Sequence, residues 1–333
     1  MVKKNLGIFG LLIIIIVVTA MLSDSFLTPV NLKNNLRWVG LYAIISIGQA
    51  MVIISGGIDL SVGSVIGMTG CMLPMLLVRA GMPPLLAVPL VLLIGAAIGL
   101  SNGLMVTKLR LQPFLVTLCG LFIYRGLARW ITGDGTQGFG GGYEGLRTLA
   151  TGTLGSVPVP GIGWVPVPVP FVIMLVIAVI AAGYLNLTVY GRYLFALGNN
   201  ETAARYSGIN TDRVVIVSYV VCGLLASCAG ILFAMDLGSA QPSSLGNFYE
   251  LYAIAAAVLG GCSLRGGAGS ILGVVLGAAV VRVLYNAINM IGVQTQLEFA
   301  VIGVAILVGV IADETIRRIA SRRRAAREAR SAA

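Results

Sequence analysis

The chain has no histidine, only four lysines and only twelve acidic residues among its 333 positions. Without histidine there is no imidazole base, no imidazole metal ligand and no Ser/His/Asp triad. None of the lysines (Lys3, Lys4, Lys33, Lys108) is followed by Ser or Thr, which excludes a Walker-type phosphate loop. Charged residues make up 10% of the chain, where a soluble domain carries about 25%. That is too little polar surface for a soluble protein. Five cysteines (Cys71, Cys119, Cys222, Cys228, Cys262) lie in apolar stretches without CxxC spacing. They read as small buried hydrophobes rather than disulfides or zinc ligands.

What the chain has in abundance is apolar residues, 58% of the total, with a mean hydropathy of +0.97. A spanning helix needs about 20 mostly apolar residues. Such runs lie at 5–23, 38–58, 60–78, 80–107, 111–131, 169–187, 214–235, 251–264, 266–288 and 296–312. They predict an all-α polytopic membrane protein of about ten transmembrane helices. Lys3-Lys4 before the first run resembles a secretory signal, but Ala20-Met21-Leu22 is a poor cleavage site and the run is long. A retained first helix is the reading.

A net charge of +10 invites a nucleic-acid interpretation, yet the basic residues sit at segment ends and in a tail, 313–333. With both termini cytoplasmic, fifteen basic residues fall inside: Lys3, Lys4, Lys108, Arg110, Arg192, Arg205, Arg213, Arg265 and seven arginines from Arg317 to Arg330. Only Lys33, Arg37, Arg79 and Arg147 fall outside. This bias obeys the positive-inside rule and places the chain in the bilayer with no nucleic-acid partner. The 132–168 segment, with eleven glycines, becomes a long external loop lying against the membrane surface. The 188–213 segment becomes a cytoplasmic insertion whose Asn199–Ser207 part can form a short helix and a docking surface.

Two strings echo one another, Gly56-Gly57-Ile58-Asp59-Leu60 and Gly260-Gly261-Cys262-Ser263-Leu264. Broken helices at comparable places in two halves point to a transport pathway, here with Ser61 and Asn102 as further polar candidates. Plain glycine turns between spans are the alternative. Asp59 is the only acid between Asp24 and Asp134. It reads as a cap that rigidifies the loop, with substrate contact as the second reading. Arg282, within an apolar run, must face a cavity, a partner or another subunit. Arg125 and Arg129 are expected to snorkel to the interface.

Longer strings carry a family resemblance. They include Gly56-Gly57-Ile58-Asp59-Leu60-Ser61-Val62-Gly63-Ser64, Gly99-Leu100-Ser101-Asn102-Gly103, Pro113-Phe114-Leu115-Val116-Thr117-Leu118 and Ile123-Tyr124-Arg125-Gly126-Leu127. Further on stand Ala196-Leu197-Gly198-Asn199-Asn200-Glu201, Ser207-Gly208-Ile209-Asn210, Ser239-Ala240-Gln241-Pro242 and Tyr249-Glu250-Leu251. The chain resembles the permease subunits of bacterial ATP-binding-cassette sugar importers of the ribose/xylose/arabinose/galactose type. The resemblance implies a type II, vitamin-importer-like permease fold in two pseudo-symmetric halves, within one transmembrane domain over 1–333 in the bacterial inner membrane. It implies a non-enzymatic translocation subunit with no cofactor of its own. Its partners would be a second permease copy or paralogue, an ATP-binding cassette protein that binds the ATP, and a periplasmic sugar-binding protein. It also implies a coupling helix carrying Asn199, Glu201, Ala203, Ala204, Ser207 and Gly208. Where the family often has Asp after Glu-Leu, this chain has Tyr252, which speaks against ribose itself as the solute.

Overall fold

The computed structural model describes residues 6–292 and the isolated positions 297, 300, 303, 304 and 307. Apart from those positions, the expected tenth span and the basic tail lie outside the described residues. Seven described helices are long and apolar enough to cross a membrane. They are α2 (Pro29–Ile54), α3 (Val62–Pro74, continued by a π turn to Arg79), α4 (Pro84–Lys108), α5 (Pro113–Thr132), α7 (Val169–Leu187), α10 (Thr211–Leu237) and α12 (Ile271–Ile291). Shorter helices are α1 (Leu6–Leu22), α6 (Glu144–Thr151), α8 (Val189–Asn199), α9 (Glu201–Tyr206) and α11 (Tyr249–Leu259).

Sequence punctuation sets these boundaries. Pro29, Pro84, Pro113 and Pro170 stand in the first turns of α2, α4, α5 and α7, where a missing N–H costs nothing. α2 runs through the centre of the bundle, buried almost continuously from Val39 to Ile54. Leu93, Phe122, Val179 and Ile180 on α4, α5 and α7 are instead exposed, an apolar surface suited to lipid. α4 and α10 cross antiparallel at close range. A methyl group on Gly103 would lie 2.9 Å from the Ile216 Cα, and Gly95 and Gly99 face Gly223 and Tyr219 in the same way. Small residues thus let the two backbones touch, the usual basis of helix association in lipid.

Ion pairs and loops define two ends. At one, Lys108 (α4) and Arg205 (α9) meet Asp212 (α10) at 2.8 and 3.6 Å. At the other, Arg37 pairs with Asp236 at 2.9 Å and the Arg147 Nε donates to the Met235 carbonyl. This second end also carries a hairpin of β2 (Thr153–Val159) and β3 (Gly163–Pro168), and β1 (Gln137–Gly138) paired with β4 (Ser239–Ala240). The 132–168 loop therefore contributes strands to a chain expected to be all-α. Pro158, Pro160, Pro166 and Pro168, alternating with valine, bar a helix there.

Two further expectations change. The span expected at 251–264 is the 11-residue α11, which at 1.5 Å per residue reaches only about 16 Å. The chain before it re-enters without regular structure because Arg125 turns inward, donating to the carbonyls of Pro242 (2.9 Å) and Leu245 (2.6 Å). Satisfied carbonyls make irregular backbone tolerable inside a membrane protein. Arg125 does not snorkel. Arg129 does turn outward, to Asp134 at 2.6 Å, and its hydrogen bond holds that carboxyl below the usual range. Arg282 lies over Trp38, Tyr42 and Tyr285, 4.4–4.9 Å from the ring centres, a cation–π cage between α2 and α12.

Candidate functional site

The first break is the turn that joins two separate spans, α2 and α3. α2 ends at Ile54, Gly56 adopts φ +88°, and helix resumes at Val62. Asp59 is 2% exposed within this gap. Its Oδ1 accepts from the Ser61 amide (2.8 Å) and the Ser61 hydroxyl (2.6 Å). Ser61 Oγ in turn accepts from Asn102 Nδ2 (3.1 Å), and Asn102 Oδ1 accepts from the Tyr124 hydroxyl (2.9 Å). A directional chain Tyr124–Asn102–Ser61–Asp59 thus ties α5 and α4 to the break. Each buried polar atom in it gains a partner that water would otherwise supply.

The backbone of the break is held as firmly. In the orientation its surroundings assign, the Gln49 carboxamide donates to the Asp59 carbonyl (3.1 Å) and accepts from the Asp59 amide (3.2 Å). The Ile58 carbonyl accepts from Thr117 Oγ1 (3.1 Å) and the Tyr219 hydroxyl (3.4 Å). A methyl on Gly57 would stand 2.8 Å from that hydroxyl and 3.1 Å from Val52 Cγ1, so any side chain there must displace the buried Tyr219. Gln49, Tyr124 and Tyr219 were not singled out from sequence. The signal for Gln49 was available: it is the one amide in the apolar run 38–54.

The second break separates α11 from α12 and is built differently. Gly260 packs against Gly273, where a methyl would approach Val274 N to 2.6 Å. Gly261 adopts φ +87°. Ser263 faces its own loop, its amide donating to Ala268 O (2.9 Å) and its Oγ accepting from the Arg265 amide (3.2 Å). Here the loop braces itself.

The structure joins the two breaks. The Gly267 amide donates to the carbonyl of Ile54, the last residue of α2, at 2.9 Å. Asn199 Nδ2 donates to the Gly267 carbonyl at 3.2 Å. Asn199 is therefore the last residue of α8, not part of a single Asn199–Ser207 helix. Asn200 is extended and its Oδ1 accepts from the Ala203 amide (2.9 Å), so it caps a separate α9. Glu201 in the first turn of α9 pairs with Arg205 (2.8 Å), Ser207 closes the helix, and Gly208 turns the chain at φ +82°. Ala204 is buried, while Ala203 and Tyr206 are exposed, Tyr206 at 89%. Between α9 and the first break lies a cavity of about 370 Å³ lined by Ser55, Gly57, Arg110, Gln112, Glu201 and Asp212. Among the described residues, no three of His, Cys, Asp and Glu gather as metal ligands would.

Neither Gly-Gly string interrupts a single helix: each is a turn between two separate helices, α2 and α3 or α11 and α12. This is the architecture of a polytopic helical membrane protein with a short capped helix displayed at one end. The family model described as branched-chain amino acid transport system / permease component matches residues 31–310, and the chain belongs to that family. The ribose import permease protein of Bacillus subtilis is 39% identical over 313 residues, covering 94% of this chain and 93% of that protein. The D-allose transport system permease protein of Escherichia coli is 33% identical (93% and 91% covered), and its xylose transport system permease protein 31% (94% and 93%). No solved structure matches.

Proposed function

We propose that this chain is the transmembrane translocation subunit of an ATP-binding-cassette importer that carries a monosaccharide across the bacterial inner membrane. The observation that carries the reading is full-length similarity to permeases named for three different sugars, ribose, allose and xylose. The chain supplies no phosphate loop, so the energy arrives through contact with an ATP-binding cassette partner. α9 suits that contact: it is capped, exposed and small-surfaced at Ala203. The fold is a type II permease in one transmembrane unit, in which α11 and the irregular segment before it together make one crossing in place of a full-length span, with the α9 end and both termini cytoplasmic. There the 188–213 segment serves as the coupling loop and 313–333 as a basic cytoplasmic tail. A periplasmic binding protein delivers the sugar, a second permease subunit completes the channel, and Gly56, Gly57, Asp59, Ser61, Asn102, Gly260, Gly261 and Ser263 shape its walls.

A second reading keeps the fold and changes the solute to a branched-chain amino acid, which the family's description favours. Reconstituting the permease, cassette protein and binding protein in proteoliposomes separates the two. ATP-driven uptake of ribose, allose or xylose supports the sugar reading, and uptake of leucine alone replaces it. A second experiment addresses coupling. Ala203→Trp should leave the spans folded and uncouple uptake from ATP hydrolysis or release the cassette protein; normal association with normal uptake would remove α9 from the coupling role.

A further inference from the structure

Motion at α9 has a short route to the two glycine turns, which lie at the same end of the bundle. Three elements meet at one point, within ordinary hydrogen-bond distance. α8 ends in Gly198-Asn199, α2 ends in Ile54, and the second break contributes Gly266-Gly267. Gly198 lies directly on the Ile54 carbonyl and the Gly267 amide, closer than any side chain would allow. A methyl on Gly266 would stand 2.7 Å from the Gly198 carbonyl and 3.0 Å from the Gly56 Cα. Gly267, at φ +70°, presents its amide to Ile54 and its carbonyl to Asn199. Only the unsubstituted backbone allows this three-way contact.

The mechanical consequence follows from what each partner is attached to. α9 is fixed to α8 through the single extended residue Asn200, so a push on α9 displaces Asn199. The 263–268 loop is closed on itself by Ser263 N to Ala268 O (2.9 Å) and Gly266 N to Ser263 O (2.8 Å), and moves as a unit. Ser270, just beyond it, caps α12 through the Gly273 amide (3.3 Å). The Ile54 carbonyl belongs to the buried α2 and the first break. Asn199 is an exposed side chain, yet its carboxamide spans from its own helix (Phe195 O, 2.8 Å) to Gly267.

We infer that Asn199 is a positioning residue that transmits displacement of α8–α9 through Gly267 to the 263–268 loop, which moves against the fixed end of α2. The inference rests on the functional reading above. The Asn199–Gly267 bond links the energy-receiving helix to the second break, and the Gly267–Ile54 bond sets that loop against the clamped end of α2. Asn199 touches no solute in this scheme; it sets the timing between α9 and the turn that joins α11 to α12.

The test compares wild type, Asn199→Ala and Asn199→Asp in proteoliposomes holding the whole importer, with ribose, allose and xylose supplied in turn. Alanine removes the donor; aspartate keeps the shape and turns an acceptor toward the Gly267 carbonyl. Three quantities are read: cassette protein retained on the membrane, ATP hydrolysed, and sugar moved per ATP. Both variants should retain the cassette protein and hydrolyse ATP within about two-fold of wild type, while sugar per ATP falls at least about five-fold, the equilibrium weight of one hydrogen bond. A purely structural role would lower assembly and hydrolysis together. Unchanged sugar per ATP in either variant, or loss of the cassette protein from the membrane, would overturn the inference. Absence of sugar uptake in the wild-type complex would overturn the functional reading beneath it.

Discussion

The two glycine breaks share a sequence pattern and differ in almost everything that holds them. The first is buried and clamped by side chains from four helices, Gln49, Asn102, Thr117 and Tyr219, with Asp59 and Ser61 completing the network. The second is fastened by its own backbone and reaches the first through the Gly267–Ile54 bond. A loop clamped by many distant side chains resists displacement, because moving it breaks several buried hydrogen bonds together. A self-closed loop moves as a body at the cost of few. The comparison teaches that one break is a fixed wall and the other a movable piece.

That contrast can be broken by mutation. The largest effect is expected for Gly57→Leu, which drives a side chain into the Tyr219 hydroxyl and Val52. It should abolish uptake and lower stability by about 1–3 kcal/mol, the cost of overpacking a filled site, measurable as a lowered melting temperature of the purified permease. Asn102→Ala removes the acceptor of the buried Tyr124 hydroxyl and the donor to Ser61 Oγ, which keeps only its bond to Asp59. It should cost about 1–3 kcal/mol by the same measurement. Gly261→Leu meets the left-handed backbone at φ +87° and should cost about 1–2 kcal/mol; it too should abolish uptake while inserting normally. Ser263→Ala removes one bond in the second loop and should cost about 0.5–1.5 kcal/mol. A melting temperature that falls further for Ser263→Ala than for Asn102→Ala would reverse the assignment of wall and moving piece.

Much of this was legible in the chain itself. Long charge-poor runs place the seven long helices, the Gly-Gly echoes mark two turns between helices rather than broken helices, and Asn200-Glu201 before Ala203-Ala204 signals a capped helix. Local chemistry also puts Asp59 beside Ser61. What sequence could not supply depends on partners far along the chain. Tyr219 lies 161 residues from Ile58, and Asn199 lies 68 from Gly267. Hydropathy likewise cannot tell α11 from a full span, because Arg125 sustains the irregular 242–245 backbone from another helix. The β2–β3 hairpin was hidden for a related reason: glycine and proline signal the loss of helix and do not specify a strand register.

Hydrogen–deuterium exchange on the assembled importer, with and without ATP, reads the two breaks directly. The account predicts that ATP accelerates exchange at the amides of 263–268, including Gly267, while the amides of Gly57, Asp59 and Ser61 stay protected. Acceleration confined to 57–61 with 263–268 unchanged would contradict it.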